Sequence, residues 1–257
     1  MNISLAAEPI FHLGSFPVTN SLIVGWIVTG FLALVGLVLG GRTLAAVPRG
    51  FQNFIEAVLE GALTFIESVT GSRETARRFL PLSGTIFFFV LLSNWFGLLP
   101  GVGSIGLLEL HEGRQVLVPF FRSVSADLNG TLAIALISVI GTQALGIATL
   151  GFAKHASKYL DPVGLIKHFS FQKLILQFVG VLELVSEVAK VVSFSFRLFG
   201  NVFAGEVLLI VISALVPYFA PLPFLFLEIF VGLVQALVFS LLTLVFMTIA
   251  SAEHAEH

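Results

Sequence analysis

The chain has 257 residues, of which 57% are hydrophobic and 11% charged, against about 45–50% and roughly 25% in soluble domains. That balance excludes an ordinary soluble protein and points to a single integral membrane domain over residues 1–257. The formal net charge is -2, Lys and Arg are scattered over short loops with no basic stripe for nucleic acid, and the absence of Cys removes disulfides, thiolate metal sites and thiol nucleophiles.

The opening stretch "MNISLAAEPIFHLGS" has no Lys or Arg ahead of its apolar segment. It lacks the positive start of a secretory signal, so it is expected to stay on the mature protein. Runs of about 18 or more apolar residues with few charges read as spanning helices, and ordinary ones cover residues 21–41, 79–100 and 128–153. Gly36 and Gly40 form a GxxxG in the first of them, a pattern that arises often by chance in Gly-rich membrane proteins, so a helix contact there is the less favoured reading. Between the first two spans, Phe54, Ile55, Val58, Leu59, Leu63 and Ile66 recur at helical spacing with Glu56, Glu60 and Glu67 between them. This stretch is expected to be an amphipathic helix on the membrane surface or against the bundle. Asn94 and Gln143, inside spans, are expected to hydrogen-bond neighbouring helices.

The last two apolar runs are long. No proline interrupts residues 171–216, which as one helix would measure about 69 Å against a hydrocarbon core of roughly 30 Å. Residues 224–251 would reach about 42 Å. Both must tilt strongly, kink or lie along something inside the membrane. The fold class is therefore an all-α polytopic membrane protein with about five spans plus an amphipathic helix.

Orientation follows the basic residues of short loops. The connection after the first span holds Arg42, Arg49, Arg73, Arg77 and Arg78, and the one before residue 171 holds Lys154, Lys158 and Lys167. The intervening loop has only Arg114 and Arg122, offset by Glu109 and Glu112. The N-terminus is expected outside and the C-terminus in the cytoplasm. The tail "SAEHAEH", with His254 and His257 beside Glu253 and Glu256, reads as a solvated end, not a metal site. No internal repeat is visible, which counts against inverted-repeat transporters.

Beyond Lys173 at the edge, Glu183, Glu187, Lys190, Arg197, Glu206 and Glu228 fall inside the last two spans. A charge at mid-membrane costs about 2.5–3.5 kcal/mol even on lenient scales, so such residues face a bundle interior or water and mark an ion path. Glu187 and Lys190 are spaced to form a structural ion pair. Arg197 keeps its proton at any working pH; it cannot relay protons but makes a fixed positive barrier. Carboxylates beside water can load and release protons.

Glu183, Lys190, Arg197 and Asn201 fall within about 40° of one another on a helical wheel, with Ser193 a further 40° or so round, and Glu206 points the opposite way. Glu228, near the start of the returning helix, comes to the level of Glu206. Gln235, two turns further on, reaches the level of the arginine. Two offset half-channels with an arginine between them move no ion alone, so a partner must supply a mobile acid.

The segment "SFRLFGNVFAGE" resembles the R-L-F-G-N-x-x-A-G-E signature of the family of subunit a of F-type ATP synthases. The likeness extends over most of the chain through "NWFGLLPG", "SADLNGTLAIAL", "QALVFSLLTLVFMTIAS" and the terminal "AEH". The resemblance implies a stator subunit of the bacterial plasma membrane, its last two helices tilted along a c-subunit ring. It further implies peripheral-stalk subunits b and b', indirect coupling to the F1 sector, and no cofactor or metal. Arg197 matches the family's barrier arginine. Glu206, Asn201 and Gln235 match positions of the outer half-channel, and Asp127 and Asn129 its entrance. Glu183, Ser186 and Ser193 match the cytoplasmic exit. Glu228 stands where some bacterial members carry His, Glu187 is an additional acid beside the exit, and Val191 stands where a proline often follows the lysine. The alternatives are a stand-alone secondary transporter or ion channel, and an intramembrane hydrolase, for which no Ser/His or metal pair shares a span.

Overall fold

In a bilayer a helix satisfies its own backbone groups, so long apolar segments without competing polar partners become helices. The computed structural model describes residues 6–40, 49–111, 114–157, 159 and 171–251. The helices are α1 (Asn20–Gly40), α2 (Phe51–Thr70), α3 (Arg73–Gly97), α4 (Leu128–Leu150), α5 (Phe152–Ser157), α6 (Phe171–Leu215) and α7 (Pro221–Ser251). Of these, 5 are long and apolar enough to cross a membrane: α1, α3, α4, α6 and α7. The chain is a multi-pass membrane protein of the all-α class.

The boundaries differ from the apolar runs for local reasons. α3 begins at Arg73, ahead of the expected residue 79, because the hydroxyl of Ser72 accepts the N–H of Thr75 and caps the helix before its charged first turns. α4 stops at Leu150, short of residue 153, because Gly151 takes φ 82 and turns the chain into α5. α7 starts at Pro221, since proline is tolerated in a first turn whose N–H groups have no intrahelical acceptor. The tail histidines and their glutamates, Arg42, Lys158, Lys167 and Glu112 lie outside the described residues.

Two short antiparallel hairpins were not anticipated: β1 (Pro9–Leu13) with β2 (Phe16–Thr19), and β3 (Gly106–His111) with β4 (Arg114–Pro119). Both lie at the end of the bundle where α1 and α4 begin and α3 ends. The amide of Asn20 donates to the Pro119 carbonyl at 3.3 Å and joins the hairpins.

α2 is amphipathic as expected. It buries Leu63 and Ile66 against Ala76 and Phe79 of α3 and Leu244 and Met247 of α7, while Phe51, Phe54 and Phe65 stay exposed. Arg73 spans Glu60 at 2.6 Å and Glu67 at 3.0 Å on its polar face, exposed pairs of the kind that contribute about 0–1 kcal/mol.

The main core joins Val24 and Val28 of α1, Ile86 and Val90 of α3, Ile134 and Ala135 of α4, Phe194 and Leu198 of α6, and Ala236 and Phe239 of α7. Polar side chains in that core are spent between helices. Ser138 meets Thr243 at 2.7 Å, Thr131 meets Ser195 at 3.1 Å, and Ser240 donates to the Ser83 carbonyl at 2.9 Å. Asn94 donates to the Gly232 carbonyl at 3.1 Å, as a neighbouring-helix contact should. Gln143 likewise bonds a neighbouring helix, accepting from His155 of α5, and it also accepts from the Tyr159 hydroxyl beyond it. The GxxxG contact in α1 is not made within the described residues, for a Cβ on Gly36 or Gly40 would meet open space.

Asn94→Ala is expected to lower stability by about 0.6–1.7 kcal/mol, the range of hydrogen bonds between membrane helices. Thermal unfolding in detergent would register this, whereas an unchanged midpoint would mean that the α3–α7 contact is held by packing alone.

Candidate functional site

Helix α6 runs for 45 residues, about 68 Å, and its two faces differ. Phe194, Ser195, Leu198 and Phe199 are buried against α4 and α7, whereas Ala189, Ser193, Arg197, Gly200, Asn201 and Ala204 are exposed. The half before Val191 presents Phe178, Val181, Leu182, Val185 and Val188 outward.

Arg197 stands on the exposed face. Its Nη2 reaches the hydroxyl of Ser193, one turn earlier, at 3.5 Å, and no carboxylate pairs with it among the described residues. Leu198 is fixed in the core, so the helix cannot rotate to bury the guanidinium without exposing it.

α7 returns antiparallel to α6, and the pairing is fixed at two levels. The carboxyl group of Glu228 occupies the space that a Cβ on Gly205 would fill, so the missing side chain of Gly205 is what admits it. Lower down, the rings of Phe194 and Phe239 lie 4.9 Å apart. In that register the residue opposite Gln235 is Leu198, next to Arg197, so Gln235 does lie at the level of the arginine. Glu228 likewise lies at the level of Glu206, as its place in the sequence suggests.

At the hairpin end, Glu206 turns away from the Arg197 face and meets Arg122, whose Nε and Nη2 both donate to Oε2 at 3.1 Å. Arg122 is only 7% exposed. Glu228 is buried, and none of the described residues hydrogen-bonds its carboxyl group. Asp127 caps α4 by accepting the Asn129 N–H at 3.0 Å and accepts the Ser21 hydroxyl at 2.6 Å, which binds the starts of α1 and α4 together. Asn129 is exposed on the first turn of α4.

At the opposite end Glu183 is half-buried and Ser186 exposed. The Glu187–Lys190 pair forms, at 2.6 Å, with the ammonium 4.4 Å from the centre of the Phe246 ring. Tyr159 closes this end. Its hydroxyl donates to Gln143 at 3.0 Å, and Gln143 also bonds His155 at 2.7 Å. Burial, then the charge of Glu187, pushes the Tyr159 hydroxyl above the ordinary tyrosine range, partly opposed by the bond to Gln143.

The structure thus brings Glu206, Glu228, Asp127 and Asn129 to one end, Glu183 and Ser186 to the other, and Arg197, Ser193, Asn201 and Gln235 between them. Sequence reasoning missed Arg122 as a partner of Glu206, because a loop arginine reads only as topology. It also missed Tyr159 and His155, which sit in a segment without periodicity. No group of three or more His, Cys, Asp or Glu suited to a metal forms among the described residues.

The family model described as ATP synthase A chain matches residues 22–248, a stretch that takes in most or all of each spanning helix and the charged residues of α6 and α7 described above. The chain is similar to ATP synthase subunit a of Campylobacter jejuni strain 81-176, with 36% identity over 231 residues, 89% of this chain and 90% of that one. It is 34% identical over 253 residues to that of Campylobacter fetus, covering 98% of each. With that of Moorella thermoacetica it shares 33% over 239 residues, 92% of this chain and 93% of the other. With coverage this complete and the helices in place, the chain belongs to the ATP synthase A chain family.

Proposed function

We propose that the chain is the proton-conducting stator subunit of an ATP synthase membrane sector. In this reading it forms two offset half-channels that pass protons to and from the carboxylate of a c-subunit ring, coupling proton flow to rotation and ATP synthesis. The observation that carries the reading is Arg197: a permanent cation, exposed on an apolar spanning helix, with no carboxylate of its own chain beside it among the described residues. A charge so placed costs about 2.5–3.5 kcal/mol or more unless something compensates it. An acid on a neighbouring subunit does so, and the small neighbours Ala189, Ser193, Gly200 and Ala204 on the same face let a partner helix approach closely.

The outer half-channel runs through Asp127 and Asn129 at its mouth to Glu206, Glu228, Asn201 and Gln235. The exit runs through Ser193, Ser186 and Glu183. A proton enters on one side and reaches the ring carboxylate beside Arg197. It leaves on the other side only after the ring has turned, because a guanidinium cannot accept a proton and repels one in transit. The chain itself performs no covalent chemistry. Peripheral-stalk subunits b and b' hold it against the ring and link it to the F1 sector.

Orientation follows the basic residues. Arg49, Arg73, Arg77, Arg78 and Lys154 gather at the α2 end, which we place in the cytoplasm of a bacterial cell, with the plasma membrane as the site of residence. The hairpin end and the N-terminus then face outside. A lone transporter is disfavoured, since among the described residues no carboxylate stands beside Arg197 to carry the proton past it.

Arg197→Ala in the assembled complex is expected to abolish ATP-driven proton pumping, measured by dye quenching in inverted membrane vesicles; coupled pumping in that variant would refute the barrier. Glu228→Gln is expected to slow pumping by about ten-fold or more and to change its pH profile, and a profile like that of the parent would make Glu228 structural. Gly205→Ala should reproduce the Glu228→Gln defect with the complex still assembled, since the added methyl group displaces that carboxyl. Normal pumping by Gly205→Ala would show that the seat does not matter.

A further inference from the structure

Arg122 has no part in the pathway set out above, yet its surroundings are built with unusual care. It is 7% exposed, its Nε and Nη2 both donate to Glu206 Oε2 at 3.1 Å, and its Nη1 donates to the Ala6 carbonyl at 3.1 Å. The ring of Phe203, one turn before Glu206, lies 5.7 Å from the guanidinium carbon. Three separate stretches of chain therefore converge on one side chain: the N-terminal segment, the loop after β4, and α6. The guanidinium grips a single oxygen, while Oε1 of Glu206 makes no hydrogen bond among the described residues.

We propose that Arg122 is the positioning residue for Glu206: it clamps one carboxylate oxygen from the hairpin side and leaves the other turned to the proton path. The planar fork is needed for this. It sends one pair of N–H groups to Glu206 and a third N–H to Ala6 in fixed directions, which a lysine ammonium on a flexible stem does not reproduce. The clamp also ties the N-terminal segment over Glu206, so the outer mouth is shaped by residues distant in sequence. Phe203 covers the guanidinium face that the carboxylate does not use. The proposal rests on Glu206 belonging to the outer half-channel.

The test uses ATP-driven pumping by assembled complexes in inverted vesicles, normalised to the amount of subunit retained with the ring. Arg122→Lys and Arg122→Gln are expected to lower pumping by about five- to ten-fold in the parent, with no further loss in a Glu206→Asp background, where the shortened carboxylate has already left the clamp. An equal fractional loss in both backgrounds, or parental pumping by the Arg122 variants, would reduce Arg122 to a scaffold residue and overturn the proposal. Should Arg122→Gln fail to assemble, Arg122→Lys, which retains the charge, carries the same comparison. Glu206→Gln serves as the control for the premise: parental pumping there would remove Glu206 from the path, and the clamp would lose its purpose with it. A Glu206→Gln defect alongside parental Arg122 variants would sink the clamp alone.

Discussion

Hydrocarbon offers a polar side chain nothing to bond with, so each such group in a spanning helix must find its partner inside the protein or bear the cost. This chain meets much of the constraint pair by pair, although Ser93 Oγ, Asn94 Oδ1 and Thr142 Oγ1 are buried without a partner among the described residues. Ser138 takes Thr243, Thr131 takes Ser195, Asn94 takes the carbonyl of Gly232, Glu187 takes Lys190, and Glu206 takes Arg122. Against that background Arg197 stands out as a permanent charge exposed on a spanning helix with no carboxylate beside it among the described residues. The fold does not merely tolerate it at the surface; it holds it there, because Phe194 and Leu198 on the same helix are locked into the core and set the rotation. In the proposed function, that displayed charge faces a partner that carries the opposite sign.

The α6–α7 pair turns distant positions into neighbours. Each helix outruns a bilayer, at 45 and 31 residues, so their contact is long enough to hold several functional levels in one register. The contact of Glu228 with Gly205 and that of Phe239 with Phe194 pin it at two points, and everything between is placed as a consequence, including Gln235 beside the level of Arg197. The core contacts all lie in the half of α6 from Val191 onward. The other half carries Glu183 and Ser186.

Much of this was legible in the sequence because hydropathy and helical spacing act over long windows. The five spans, the amphipathic α2 and the depth of Glu228 relative to Glu206 all follow from rise per residue and from the price of a charge in hydrocarbon. What escaped depends on tertiary meetings. The hairpins at Pro9–Thr19 and Gly106–Pro119 are two-stranded ribbons with no sheet to impose a strong alternating pattern. The start of α3 was hidden by Arg73, Arg77 and Arg78, which break the apolar run although the capping serine at position 72 stood in view. Arg122 looked like a topological charge and proved to be a buried one.

The two carboxylates at the hairpin end illustrate how packing divides labour between chemically identical groups. Glu206 is held by a guanidinium through directed hydrogen bonds, so moving it or removing its charge would leave a buried cation without its partner, a loss of several kcal/mol by about the usual measure. Glu228 is seated by shape, in the hollow left by Gly205, with no directed bond from the described residues to break when its protonation changes. In the proposed mechanism the two serve as a fixed charge that sets the local field and an adaptable acid that exchanges protons within it. There too Arg197 repeats the first role at mid-membrane, and the adaptable acid comes from the rotating partner, since among the described residues no carboxylate stands beside it.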